Sequence, residues 1–308
     1  DGMIKEAIKP YSIFAQEFDL LLDEPMGKYT SFKIGGTADL LALPKDKIQL
    51  KNLIKKAREL DIPVTFFGGG TNLLISDRGI RGLVVITKQL KSKIELIETD
   101  SETDTIIAGA GERLSKICRF AANNSLTGIE FAAGIPGTVG GAIIMNAGTK
   151  SGEMSTIIKS IEVLNQDTFE METIGKKLLN FSYRHLNLSG IIVSAEITLK
   201  KGNQEQIEQI FKHNLNKKNA SQPVSFASAG CFFKNPAVGK SAGELIDKAG
   251  LKGMSVNDAA VSEKHGNFIV NRGNATCQDI LLLKQQIQKI VFEKFNIKLE
   301  TEVRIEGE

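Results

Sequence analysis

The sequence predicts an α+β protein built from two or three domains. Three observations carry that prediction. The chain has 308 residues, more than one hydrophobic core comfortably serves. Apolar residues recur at helical spacing in some segments and gather into short strand-like runs in others. Two glycine-rich stretches, residues 68–70 and 134–141, mark places where backbone must turn sharply or come close to another group.

Taken in order, residues 30–44 hold apolar runs broken by Gly35 and Gly36, the pattern of strands joined by a tight turn. Across residues 46–60, Ile48, Leu50, Leu53, Ile54, Ala57 and Leu60 fall at helical spacing, with Lys and Arg on the other face. Pro63 then introduces Val64-Thr65-Phe66-Phe67, a short buried strand. It runs into Gly68, Gly69, Gly70, Thr71, Asn72 and Leu73. A strand, a triple glycine and a small polar residue suit a loop that cradles a diphosphate, with the Thr71 hydroxyl and Asn72 amide adding donors to bare backbone. The competing reading is a flexible hairpin loop.

The second stretch runs FAAGIPGTVGGAIIMNAG over residues 131–148. Pro136 fixes φ just after Gly134 and removes a donor. The amides of Gly137, Thr138, Val139, Gly140 and Gly141 have little side chain in the way, so several can point at one anion. Asn146 and Ala147 close the run. The plainer alternative is a tight, buried strand-to-helix turn. Two lookalikes fail. Gly109-Ala110-Gly111 opens a dinucleotide fingerprint, but Leu114 stands where its third glycine belongs. Gly239-Lys240-Ser241 resembles the end of a P-loop, but Lys234 occupies the position of its first glycine.

Further on, residues 157–164 and 191–199 read as strands, with Tyr183-Arg184 between them. Residues 204–218 carry Ile207, Ile210, Phe211 and Leu215 at helical spacing and hand the chain to a C-terminal part. Cys231 follows Gly230 in a loop bounded by Pro223 and Pro236. Residues 241–251 and 279–295 read as helices, and Glu300 and Glu302 lie on a final strand over residues 299–304. On residue types alone, Tyr183-Arg184 reads as a surface pair, Cys231 as a small core residue and the two glutamates as solvated.

Composition narrows the partners. A formal net charge of +3 does not argue for nucleic acid or an anionic membrane surface, so an anionic ligand must be held by local groups. No apolar run reaches the length of a membrane span, and the start lacks a signal peptide's basic-then-apolar order. Asp1 and Gly2 precede Met3, which reads as a two-residue scar ahead of a native start. Cys118, Cys231 and Cys277 are odd in number and form no CxxC pair, and His185, His213 and His265 are scattered. Neither a disulfide framework nor a metal site is indicated. A reducing cytoplasm is the expected compartment.

The two glycine loops together resemble the FAD-binding domain of the vanillyl-alcohol-oxidase type, and within it the UDP-N-acetylenolpyruvoylglucosamine reductase family. Later motifs carry the resemblance. Phe181-Ser182-Tyr183-Arg184 resembles the family's Tyr-Arg element, with Ser182 in place of the usual glycine. Residues 229–236, AGCFFKNP, resemble its proton-donor loop, with Cys231 in place of the usual Ser. Residues 261–271 resemble its substrate-domain core, and residues 299–304 its last Glu-containing strand. The direct passage from Tyr183 to the next strand resembles the shorter, second type.

The resemblance implies two FAD-binding subdomains, residues 1–87 and 88–203, and a substrate-binding domain, residues 204–308, whose last strand can return to the FAD domain. It implies non-covalent FAD held by residues 68–73, Gly134, residues 136–141, Asn146 and Ala147, with NADPH as co-substrate. The substrate would be UDP-N-acetylglucosamine enolpyruvate, reduced to UDP-N-acetylmuramate for peptidoglycan, by a monomer. Arg184 and Glu302 would stabilise charge on the carboxylate side, Cys231 would protonate the adjacent carbon, and Tyr183, Lys234 and Asn235 would hold substrate. A fixed guanidinium suits a developing enediolate. An ordinary thiol is largely protonated at neutral pH and a far stronger acid than a hydroxyl. Two other readings stay open. One is an alcohol oxidase of the same fold that tethers its flavin; no His precedes His185, which excludes a histidyl link in the first domain. The other is a non-catalytic nucleotide-binding protein.

Overall fold

The computed structural model describes residues 11–308; the two residues ahead of Met3 lie outside them. The chain divides into two compact units. The first takes residues up to Leu21, then Leu41–Gly69 and Leu83–Lys217, and the second takes Leu22–Leu40, Gly70–Gly82 and Lys218–Glu308. The boundaries fall inside strands Leu21–Pro25, Thr37–Ala42 and Ile80–Ile86, in the loop at Gly69-Gly70 and inside helix Gln204–Ser221.

In the first unit, an antiparallel sheet has the strand order Met171–Gly175, Ile158–Asn165, Gly190–Lys201, Thr103–Gly109, Glu95–Glu98. Helices Leu114–Asn123 and Val139–Ile144 bury Leu114, Ile117, Ala121, Val139 and Ile143 in the core that also takes Ile106, Ile161 and Ile197. Strand Val64–Phe67 pairs in parallel with residues 83–86. The preceding helix, Lys47–Glu59, starts where the sequence places it because the Asp46 carboxylate accepts from the Ile48 and Gln49 amides at 2.9 and 2.8 Å. Leu50, Leu53, Ile54 and Ala57 are buried as expected, whereas Ile48, in the first turn, is 69% exposed.

In the second unit, Ala227–Ser228, Ile269–Asn271, Ala259–Val261 and Ser255–Val256 form an antiparallel sheet in that order. Helices Ala242–Lys248 and Cys277–Phe295 supply Leu245, Ile246, Ile280, Leu283, Ile287 and Val291 to the core beside it. Both helices open with a capping box, Ser241 with Glu244 and Thr276 with Asp279. The second box explains why the long helix begins two residues before the expected Asp279.

Two expectations are corrected. Residues 30–36 form a loop rather than a strand, and only Thr37–Ala42 is extended. The Thr30 hydroxyl donates to the Ile34 carbonyl at 3.2 Å, a local bond that competes with a ladder, while Phe32 and Ile34 still reach the core. The final strand is Arg304–Glu306, paired in parallel with Leu73–Ile75. Ahead of it, residues 299–303 hold only an isolated bridge between Thr301 and Phe233.

Candidate active site

The first unit brings the two glycine loops together. A Cβ on Gly69 would lie 3.2 Å from the Gly137 Cα, and one on Gly68 would lie 2.7 Å from the Thr138 hydroxyl. Side chains would therefore push the loops apart. The Thr138 hydroxyl accepts from the Gly141 amide at 3.3 Å and caps Val139–Ile144. The expectation of five successive amides facing an anion is narrowed here. Val139 and Gly140 donate to the Glu112 and Ala110 carbonyls, each at 2.9 Å. The amides of Gly68, Gly69, Gly137 and Thr138 have no protein acceptor among the described residues. Buried or half-buried amides are normally paired. Four unpaired donors on loops too close for side chains fit a dinucleotide's diphosphate. Gly140 has a packing role, since a Cβ there would meet the Ala110 side chain at 2.9 Å.

The same unit positions Arg184. Asn180–Ser182 and His185–Asn187 form a hairpin whose two-residue turn is Tyr183-Arg184. Arg184 has φ of +54°, a conformation that strains any side chain with a Cβ and is concentrated at functional sites. Its guanidinium donates to the Gly148 carbonyl at 2.8 Å and the Asn146 carbonyl at 3.4 Å, and lies 4.9 Å above the exposed Tyr183 ring. Asn146 is itself buried and returns the tie, donating its carboxamide to the Ser182 carbonyl at 2.9 Å while accepting from the Ser155 amide at 2.9 Å. Both ends of the Asn146 side chain thus bond to protein, and Ala147 donates its amide to the Ala142 carbonyl. Beside them the Glu153 carboxyl is held below its ordinary range, first by the Ser155 hydroxyl and further by Asn146 and the Arg184 charge, against partial burial.

The second unit carries Cys231, Lys234, Asn235 and Glu302, and also Gly70, Thr71, Asn72 and Leu73. Gly70 has φ of +67° and its Cβ position is filled by the Tyr29 carbonyl. The Asn72 carboxamide, expected to add a donor for a diphosphate, gives one N–H to the Glu302 carbonyl at 3.1 Å. Cys231 is half-buried. Immediately after it, the Phe232 carbonyl accepts from the Glu302 amide at 2.9 Å, and the Lys234 amide donates to the Glu300 carbonyl at 2.8 Å. The Asn235 carbonyl oxygen accepts from the Ala242 amide at 3.0 Å, at the start of Ala242–Lys248.

Sequence reasoning missed Lys218, which reads as part of a solvated Lys-rich helix face. It is half-buried, and no carboxylate pairs with its ammonium among the described residues. Burial pushes its pKa down to about 8, with Cys231 pulling the other way. A lone desolvated ammonium beside the thiol can take an anion.

The fold and the glycine cradle define an FAD-binding oxidoreductase with a C-terminal α+β domain. Residues 38–170 match the FAD binding domain, and residues 222–306 match the C-terminal domain of UDP-N-acetylenolpyruvoylglucosamine reductase. The reductase of that name from Caldanaerobacter subterraneus subsp. tengcongensis is 45% identical over 296 residues, spanning 95% of each chain. That from Desulfosudis oleivorans is 42% identical over 295 residues, spanning 93% of this chain and 94% of its own. The crystal structure of UDP-N-acetylenolpyruvylglucosamine reductase from Thermus caldophilus is 33% identical, with a TM-score of 0.79 over 93% of this chain and 99% of its own. The chain belongs to the UDP-N-acetylenolpyruvoylglucosamine reductase family.

Proposed function

We propose that the chain reduces UDP-N-acetylglucosamine enolpyruvate to UDP-N-acetylmuramate with NADPH, supplying peptidoglycan for cell shape and division, as a cytoplasmic monomer. The observation that carries this reading is the backbone tie between Phe232 and Glu302, at 2.9 Å. It fixes the residue after a proton-bearing thiol to a residue with a carboxyl side chain, in a family named for an enolpyruvyl reduction. Bound FAD would supply the hydride that it takes from NADPH. Gly68, Gly69, Gly137 and Thr138 would hold its diphosphate through their amides. Arg184 and Glu302 would stabilise the charge that develops on the carboxylate side of the substrate, where a fixed guanidinium needs no reorganisation. Cys231 would deliver its proton to the adjacent carbon and recover it from solvent. Tyr183, Lys234 and Asn235 would orient the substrate. The three-part division at residues 87/88 and 203/204 belongs to the same proposal.

The test is the anaerobic visible spectrum. NADPH should bleach the flavin band, and UDP-N-acetylglucosamine enolpyruvate added afterwards should restore it. A band that bleaches and stays bleached would withdraw the substrate, and no band after reconstitution with FAD would withdraw the flavoenzyme.

Lys218 makes the proposal pH-dependent. Its ammonium is charged below about 8, so affinity for the anionic sugar nucleotide should be full at neutral pH and fall as pH rises through that value. In the unfolded chain a lysine titrates near 10.4, so between these values unfolding takes up a proton and stability rises with pH. Burying the charge costs stability below that window. Lys218→Met should therefore melt higher than wild type at pH 7, bind the sugar nucleotide more weakly, and lose the alkaline fall in binding. Calorimetric titration across pH 6.5–9 checks it, and an unchanged alkaline limb would remove Lys218 from the site.

A further inference from the structure

The dipeptide after Cys231 is held from both sides, and one side is a single buried side chain. Asn267 is 3% exposed. Its backbone carbonyl accepts from the Phe232 amide at 2.8 Å. Its side-chain oxygen accepts from the Phe233 amide at 2.9 Å, and its side-chain nitrogen donates to the Phe233 carbonyl at 2.8 Å. Only one orientation of the carboxamide satisfies both, because one partner is a donor and the other an acceptor. The Asn267 amide is fixed in turn on His265 Nδ1 at 3.1 Å. On the opposite side of the dipeptide stand the residues that carry Glu302. The Glu302 amide donates to the Phe232 carbonyl, Thr301 bridges Phe233, and the Asn72 carboxamide holds the Glu302 carbonyl. A carboxamide matched to one residue's N–H and C=O acts as a strand one residue long.

We propose that Asn267 is a positioning residue that sets the placement of the Cys231 thiol relative to the Glu302 carboxyl group by clamping the backbone of Phe232 and Phe233. The proposal rests on the roles given above to Cys231 and Glu302. Both ends of this buried side chain bond to Phe233, so Asn267 acts through the loop. Nothing in the electrostatics requires Asn there, since no charge is carried, but geometry does. Asp keeps the acceptor and loses the donor, leaving the buried Phe233 carbonyl without its partner. Ser is too short to meet both groups.

The test uses the FAD-loaded full chain and its flavin-free form, with Asn267→Asp and Asn267→Ser. Proper placement of a reacting group within about 1 Å is worth on the order of 10²-fold in rate. Flavin content and the rate of flavin bleaching by NADPH should stay near wild type. The return of the band with UDP-N-acetylglucosamine enolpyruvate should slow by about 10²-fold, with a larger solvent deuterium isotope effect as proton delivery becomes limiting. In the flavin-free protein the rate of iodoacetamide attack on Cys231, followed by peptide mass spectrometry, should change from wild type. Unchanged reoxidation with unchanged alkylation in a folded variant would overturn the proposal. So would equal loss of both half-reactions, or failure of both variants to fold, since each reduces Asn267 to a purely structural residue. Should the enolpyruvyl sugar fail to reoxidise even the wild type, the substrate assignment falls, and the alkylation rate alone decides whether Asn267 places the thiol.

Discussion

Cys231→Ala is expected to leave flavin reduction by NADPH at its wild-type rate and to slow flavin reoxidation by the enolpyruvyl sugar by about 10²–10⁴-fold, the usual contribution of a general acid. The asymmetry is the informative part. Protonation of a substrate carbon belongs to the second half-reaction only, so a group that performs it cannot matter to the first. Cys231→Ser should restore part of the rate, since a hydroxyl can donate but is a weaker acid. The thiol also makes the enzyme open to alkylation and oxidation. Burial raises the pKa of Cys118 to about 12 and that of Cys277 to about 11, the latter helped by Asp77. Neither offers thiolate near neutral pH, and both are buried. Iodoacetamide should therefore inactivate by modifying Cys231 first, and peptide mapping against residual reoxidation rate checks the correspondence. Parallel loss of both half-reactions in Cys231→Ala would remove the thiol from proton delivery.

The features that were legible in the sequence are those whose cause is local. Strand Val64–Phe67 and helix Lys47–Glu59 follow from an apolar run after Pro63 and from an Asp46 cap. The close approach of residues 68–69 to residues 137–141 was foreshadowed by glycine where nothing larger fits. What was missed depends on partners distant in the chain. The amides of Val139 and Gly140 look as bare as their neighbours until Glu112 and Ala110 claim them. Residues 299–303 alternate like a strand, yet their bonds go to the Phe232–Lys234 segment, so no ladder forms beyond one bridge. Asn267 stands between a glycine and an apolar run, a hint that a polar group is buried there, but not of what it holds. Lys218 gave no signal, because a lysine on a polar helix reads the same whether its ammonium faces water or a thiol.

Gly70→Ala and Gly230→Ala should separate two reasons for glycine that the sequence cannot tell apart. Both positions have φ in the left-handed region, +67° at Gly70 and +78° at Gly230. That conformation costs an L-residue roughly 1–2 kcal/mol. At Gly230 the cost ends there, since nothing lies within 4 Å of the added Cβ. At Gly70 the Cβ would occupy the place of the Tyr29 carbonyl oxygen. The Gly70 carbonyl meanwhile accepts from the Ser31 amide at 2.9 Å, so the two segments cannot separate without losing that bond. Overpacking adds about 1–3 kcal/mol to the conformational strain. Gly70→Ala should thus lose about 2–5 kcal/mol in all, a fall in Tm of roughly 4–20 °C at about 2–4 °C per kcal/mol. Gly230→Ala should fall by roughly 2–8 °C on the same scale and keep its flavin. Because residue 230 precedes the thiol, that variant should lose reoxidation rate beyond what its melting point explains. A triple glycine that served only as a flexible hairpin would tolerate Ala at residue 70 as readily as at residue 230. Equal melting points for the two variants would return the loop to that reading.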